Sequence, residues 1–263
     1  MNCYKSITRE SDPRPDTFTA PPPPHYGNPA FRMKASKPVP ADPPTPDEIA
    51  RQTARFRALI AKPTRERLRT LVSACHRQLD QTIAANPPRQ EIACRKGCAH
   101  CCHLYVSATA PELLAIAEHV YKWPEERRAG LIERLDQALQ VTRGLSPVER
   151  VRLSHPCPML EDGLCGIYPV RPLGCRAYAS FDVAACERST RERDAEAPIP
   201  VPRINMRNRR FLSHCLRAAL TERGLDGNSY ELVAGLSTIL NTPDADTRWA
   251  DGESILADVQ TDP

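Results

Sequence analysis

The chain is poor in aromatic residues, which make up 5% of 263 residues, and only two of them are tryptophan. A core must therefore rest on aliphatic side chains; hydrophobic residues overall, at 41%, are adequate for one. No stretch approaches the length of a membrane-spanning helix. Met1-Asn2-Cys3-Tyr4-Lys5-Ser6 carries no apolar run like that of a secretory signal. Strong charge bias is missing as well. The net charge of +4 is too small to indicate a nucleic-acid partner by itself. Internal repeats are not evident, and no cofactor-binding fingerprint interrupts the chain. Eleven cysteines, an odd number, in a chain without an export signal lead us to expect a reducing cytoplasmic setting, with thiolates held by metal.

Proline is abundant but unevenly placed. Of 27 prolines, 12 fall within the first 46 residues, including the run Pro21 to Pro24. Residues 1–44 therefore read as a disordered, partly polyproline tail, able at most to offer a partner protein a docking segment. Order is expected from Thr45. Thr45-Pro46-Asp47-Glu48 is a capping box with proline at the first helical position. Pro63 opens a second helix with the stripe Leu68, Val72, Cys75, Leu79 and Ile83. Thr109-x-x-Glu112 and Ser146-Pro147-Val148-Glu149 repeat the capping pattern, and a helix between them starts at Pro124 and stops at Gly144. Residues 187–205 read as a loop. Helical spacing returns through Phe211, Leu212, Cys215 and Ala219, and Asn228-x-x-Glu231 is expected to cap the last helix. The fold class expected is mainly α: one helical domain over 45–250, with a small β-hairpin and a polar tail over 251–263.

Two cysteine blocks stand out. Cys94, Cys98, Cys101 and Cys102 occur within nine residues, and the adjacent pair cannot easily bridge to each other. Thiolates at this density are the soft ligands that zinc, iron and iron–sulfur clusters select. The second block holds Cys157 and Cys165 around Glu161-Asp162-Gly163, followed by Cys175 and Cys186. A three-residue hairpin loop there would pair Met159 with Cys165 and put Cys157 on the face of Cys165; a two-residue loop would put them on opposite faces. Cys101 and Cys102 must diverge, by about 100° on a helix, so the two blocks are expected to share ligands in one composite site. The 54 residues between Cys102 and Cys157 would then have to fold back.

These residues carry a family resemblance. Cys94-x3-Cys98-x2-Cys101-Cys102, then Cys-Pro-x-Leu at 157–160, Cys165-x-Ile-Tyr, Arg171-Pro172 and Cys175-Arg176, resembles the zinc- or iron-chelating CxxxCxxCC domain family, the YkgJ-like cysteine cluster proteins. The resemblance spans about residues 90–187. It implies a metal-chelating domain without a defined reaction. The bacterial enzyme that methylates lysines of flagellin is similar in carrying such a cluster, so an enzyme of that lysine N-methylase-like or a redox kind is the alternative.

Zinc or iron, the latter with an iron–sulfur cluster as one form, is thus expected on Cys94, Cys98, Cys101, Cys102, Cys157, Cys165, Cys175 and Cys186. Arg95, Lys96, Arg171 and Arg176 lie beside these ligands in sequence and could offset their charge. His100, His103 and His155 are reserve ligands, whereas Cys75 and Cys215 sit on apolar stripes and read as packing. Cys94-x3-Cys98-x2-Cys101 also matches the cluster spacing of radical S-adenosylmethionine enzymes. The alternating strand and helix pattern of their barrels is missing, and we reject that reading. Arg203, Arg207, Arg209, Arg210 and Arg217 form the one strong basic cluster, read as a solvated helix face rather than a nucleic-acid surface.

Overall fold

A computed structural model describes residues 43–259, together with the backbone of Thr261 and Asp262. The proline-rich segment before Pro43 lies outside the described residues. The described chain is mainly helical, and no helix in it is long and apolar enough to cross a membrane.

Local chemistry explains where the first helices start. Helix α1 (Pro46–Leu59) begins at Thr45, whose N–H donates to Glu48 Oε2 at 2.8 Å while its Oγ1 accepts from the Glu48 N–H at 3.2 Å. This reciprocal cap satisfies two N–H groups that the helix cannot pair internally. Helix α2 (Arg65–Ala85) starts two residues after Pro63, with Thr64 Oγ1 accepting from Arg67 N–H. Its stripe Leu68, Val72, Cys75, Leu79 and Ile83 is buried throughout.

After a 3₁₀ turn (His100–His103) come strand β1 (Ser107–Thr109) and helices α3 (Ala110–Tyr121), α4 (Glu125–Thr142) and α5 (Pro147–Leu153). The chain then forms a hairpin of β2 (Leu160–Glu161) and β3 (Leu164–Cys165), and a 3₁₀ turn (Tyr168–Val170). Helices α6 (Leu173–Ala177), α7 (Val183–Glu192) and α8 (Arg203–Thr221) follow. Strand β4 (Ser229–Glu231), helices α9 (Leu232–Leu240) and α10 (Ala245–Ala250) and strand β5 (Thr261–Asp262) close the described chain.

Helices α1 and α2 pack on α8, α2 also meets α3, and α3 and α4 pack on α9. One core runs through all of them, with Leu71, Leu79, Leu113, Ile116, Leu131, Leu135, Leu216, Leu236 and Trp249 each at most 1% exposed. Each such aliphatic burial contributes about 1.5–3 kcal/mol relative to exposure. The approach of α3 to α9 is close because position 235 is glycine: a Cβ there would stand 2.6 Å from Leu113 Cδ1.

Four local expectations are corrected. The hairpin turn has two residues, Asp162 (φ 49°) and Gly163 (φ 77°), so Leu160 rather than Met159 pairs with Cys165. Both central residues are left-handed, the requirement of a type I′ turn, which Asp-Gly meets readily. Residues 183–192, partly assigned to a loop, form α7, because Asp182 Oδ1 accepts from Ala185 N–H and starts it. The last long helix is capped by Glu231, which accepts from Ala234 N–H at 2.7 Å, and not by Asn228. Residues 229–231 are instead extended, because they pair with β1 in antiparallel register, Ala108 opposite Tyr230. Beyond Asp251 the chain stays with the domain: Leu256 and Val259 are buried, and β5 pairs with β4.

Candidate metal centre

The segment between the two cysteine blocks leaves the centre along β1 and α3 and comes back after α5. It is closed where it began, by the Cys157 N–H donating to the Cys102 carbonyl at 2.7 Å. Helix α5 ends in left-handed Ser154 (φ 55°), which turns the chain toward this contact, and Arg150 Nη1 donates to the His155 carbonyl at 2.9 Å. Cys157 itself opens a turn, with Leu160 N–H donating to its carbonyl at 2.9 Å. Strand alternation therefore does not reach back to Cys157. The two-residue hairpin and a shared location for Cys157 and Cys165 are compatible after all, and the two thiols influence each other's charge.

The hairpin is anchored on α4. Glu161 accepts from Arg127 Nη2 at 2.7 Å and from Arg134 Nη2 at 2.8 Å, while Arg134 Nε donates to the Pro158 carbonyl at 2.9 Å. One carboxylate and two guanidiniums thus fix both flanks of Cys157 and Cys165. Cys175 lies on α6, whose start is set by Glu112: Oε1 accepts from Leu173 N–H at 2.9 Å while Oε2 takes the N–H and hydroxyl of Thr109. The buried Glu112 carboxylate therefore orients two helix starts at once.

The first block is held from another direction. Ala93 N–H donates to the Ser180 carbonyl at 2.9 Å, and Ser180 N–H donates to Cys94 Sγ at 3.3 Å. The Ser180 side chain also stands near the Cys186 thiol and opposes the rise that burial gives it. Helix α7, which carries Cys186, packs against the 3₁₀ turn that carries Cys101 and Cys102. Gly97, left-handed at φ 85°, reverses the chain between Cys94 and Cys98.

The thiols report their surroundings. Cys101 is lowered to about 7, first because it accepts the hydrogen of Cys102 and then because Arg171 stands near. Cys102 is raised, first by its neighbour Cys101 and then by burial. Burial pushes Cys157 up to about 12 and also raises Cys165, Cys175, Cys94 and Cys186. In the metal-free chain most of these thiols keep their protons, and a bound cation would displace them.

The four basic residues separate clearly. Arg95 and Lys96 are exposed. Arg176 is structural, bonding Asp80 at 2.8 Å and the Pro169 carbonyl at 2.6 Å. Arg171 alone serves the thiols. It stacks on Tyr168, 4.0 Å from the ring centre, and lowers the pKa of Cys101 and opposes the rise at Cys165 and Cys175. Among the described residues its buried Nε has no hydrogen-bond partner, and no carboxylate bridges it.

The histidines show no bond to the thiols. His103 Nδ1 lies 3.4 Å from the His100 carbonyl, and His155 Nδ1 lies 2.9 Å from that of Pro156. Cys75 and Cys215 are buried, Cys215 approaching the Ile49 carbonyl, in keeping with packing. Two contributors had escaped sequence reasoning. Ser180 has no motif to mark it, and His76 looked like any helical residue. His76 is buried near Arg176 and Arg171 and lowered to about 3 by that burial, so it stays neutral, and among the described residues its Nε2 has no hydrogen-bond partner.

All eight cysteines of the two blocks are free thiols. Among the described residues, no three His, Cys, Asp or Glu side chains are drawn into ligand geometry. The donor set is nonetheless of the right chemistry: gathered soft thiols with a neighbouring guanidinium fit zinc or iron.

Comparison with known proteins agrees with that chemistry. Residues 93–197, less than half of the chain, match the model of the CxxCxxCC family, described as a "Putative zinc- or iron-chelating domain". The matched segment runs from the residue before Cys94 to beyond Cys186 and contains both blocks. No curated protein and no solved structure matches the chain.

Proposed function

We propose that this protein binds zinc or iron through the thiolates of both cysteine blocks, Cys94, Cys98, Cys101 and Cys102 with Cys157, Cys165, Cys175 and Cys186. The observation that carries the reading is the closure of the 54-residue helical excursion by the Cys157–Cys102 main-chain bond, which brings the blocks together. Neutral thiols gain nothing from such crowding beyond packing. Thiolates would repel each other unless a cation replaced their protons.

A bound metal would supply cross-links among segments that few other contacts join, and iron would add the capacity to exchange electrons. The chain's own residues would do the rest. Arg171 would offset excess thiolate charge, Ser180 would orient Cys94 and Cys186, and the Glu161 clamp would hold Cys157 and Cys165 in position.

The test is anaerobic purification of the full chain, with elemental analysis and a visible spectrum. The reading expects zinc or iron in near-integral ratio to the chain. Absorption between about 300 and 600 nm would indicate an iron or iron–sulfur centre rather than zinc, which has no d–d transitions. Folded protein that holds no zinc or iron under reducing conditions would overturn it.

A further inference from the structure

We propose that the eight cysteines divide into two four-thiolate metal sites, with the division falling between the adjacent residues Cys101 and Cys102. The inner site takes Cys102, Cys157, Cys165 and Cys175; the outer site takes Cys94, Cys98, Cys101 and Cys186, and its metal is the exchangeable one. The proposal deepens the metal-binding reading and rests on it.

The division follows from two separate sets of bonds. Cys102 is tied by its carbonyl to the Cys157 N–H at 2.7 Å, and Cys157 is tied to the hairpin through Leu160, the residue opposite Cys165. Cys102 and Cys175 both stand in the field of Cys157 and Cys165, and both also in that of Cys101 at the boundary. The other set is built around Ser180, whose N–H donates to Cys94 Sγ at 3.3 Å and whose side chain stands near Cys186, on the helix that packs against the 3₁₀ turn. Cys94 neighbours Cys98, Cys101 and Cys186, and Cys186 neighbours Cys98 and Cys101. Tyr178 lies near Cys186, Cys101 and Cys94, all members of the outer set.

Geometry at the vicinal pair supports the same division. Cys101 and Cys102 are consecutive in a 3₁₀ turn, so their side chains leave the axis about 120° apart. That angle suits delivery to two neighbouring centres better than convergence on one ion. Cys101 also lies near Cys165 and Cys175 and beside Cys102, which sets the two centres side by side.

Both sites draw on both blocks. The first block gives three ligands outward and one inward, and the second block does the reverse.

The sites differ in access. Cys157 and Cys165 pack against the hydrophobic core, under the Glu161 clamp. Cys94 is exposed and belongs to a loop that Gly97 reverses. Cys186 of the outer set is buried and the four inner thiols are all partly covered, so Cys94 is the one exposed ligand and a competing chelator enters there first.

The test uses the full chain loaded with zinc, with metal counted by elemental analysis and its release to a coloured chelator followed in time. The wild type should hold about two zinc ions per chain and release them in two phases. Cys94→Ser with Cys98→Ser should hold about one and lose only the fast phase; Cys157→Ser with Cys165→Ser should hold about one and keep the fast phase. The first variant changes an exposed loop, so it decides the matter even if the second fails to fold. One zinc per chain in the wild type, or loss of all zinc from the Cys94/Cys98 variant, would overturn the division while leaving metal binding intact. A wild type that binds no zinc or iron would instead remove the functional reading on which the division rests.

Discussion

The main-chain N–H of Cys157 meets the carbonyl of Cys102 at 2.7 Å, and this bond joins the last cysteine of the first block to the first cysteine of the second. It is independent of side-chain chemistry, so it brings the blocks together before any metal arrives. The thiols around it then face two outcomes. They stay protonated and buried, or they ionise together around a cation.

Metal removal should therefore destabilise the fold without dispersing its helical core. Chelation under reducing conditions is expected to lower the melting temperature of the full chain, with most far-ultraviolet helical signal retained below the transition. Differential scanning calorimetry with and without bound zinc checks this. An unchanged melting curve after verified removal would contradict it.

The pH dependence of the metal-free form has a definite sign. A thiol whose folded pKa is raised gives stability that is full below its unfolded pKa, near 8.5, and is lost as pH rises through the folded value. Cys157, raised to about 12 by burial, and Cys175, also raised by burial, both behave this way. The metal-free chain should thus melt at a lower temperature at pH 10 than at pH 7.5. Zinc affinity should move in the opposite direction and tighten between pH 6 and pH 8, since each ligand must release its proton. Melting curves at pH 7.5 and pH 10, and competition titrations between pH 6 and pH 8, measure the two trends.

Arg171 is expected to govern affinity through charge. Arg171→Gln should weaken zinc binding about 10-fold or more, the usual cost of losing a group that supports metal ligands. Arg171→Lys should recover part of the loss, because it restores the charge but not the planar stack on Tyr168. Equal affinities for all three proteins in a chelator competition would show that Arg171 is only a packing residue.

Glu161→Ala tests the hairpin clamp. The ion pairs are partly exposed, so the global cost should be about 1 kcal/mol. The kinetic effect should be larger: freed from Arg127 and Arg134, the hairpin should release its metal several-fold faster. Stopped-flow transfer to a chelator would measure it, and unchanged release would mean the clamp serves folding alone.

Local signals in the sequence were sufficient where a few neighbouring residues decide the outcome. Thr45 with Glu48, and Ser146 with Glu149, start helices because the cap and its partner lie three residues apart. The α2 stripe from Leu68 to Ile83 was legible for the same reason, as one face of one helix. The hairpin was misjudged by one residue because Asp162 takes a left-handed conformation that other residues resist, which made the longer loop an equal contender. Ser229–Glu231 is extended only because β1 lies beside it, and no local pattern announces that pairing.

The candidate site divides in the same way. The eight cysteines and Arg171 were visible as a motif. Ser180, which holds Cys94 and stands near Cys186, and Glu112, which reaches 61 positions along the chain to Leu173, act through tertiary contacts that spacing does not encode. Arg176, beside Arg171 in the same motif, turned out to bind Asp80 of α2, a partner nearly one hundred residues away in sequence.

The central claim, that thiolates of both blocks hold the metal, is tested most directly by X-ray absorption at the metal edge of the anaerobically purified full chain. The account predicts a first shell of sulfur alone, about four scatterers per metal at about 2.3 Å, with the amount of sulfur-bound metal per chain falling in Cys157→Ser with Cys165→Ser. A first shell of nitrogen and oxygen at about 2.0–2.2 Å, or an amount of sulfur-bound metal per chain unaltered by that double substitution, would contradict it.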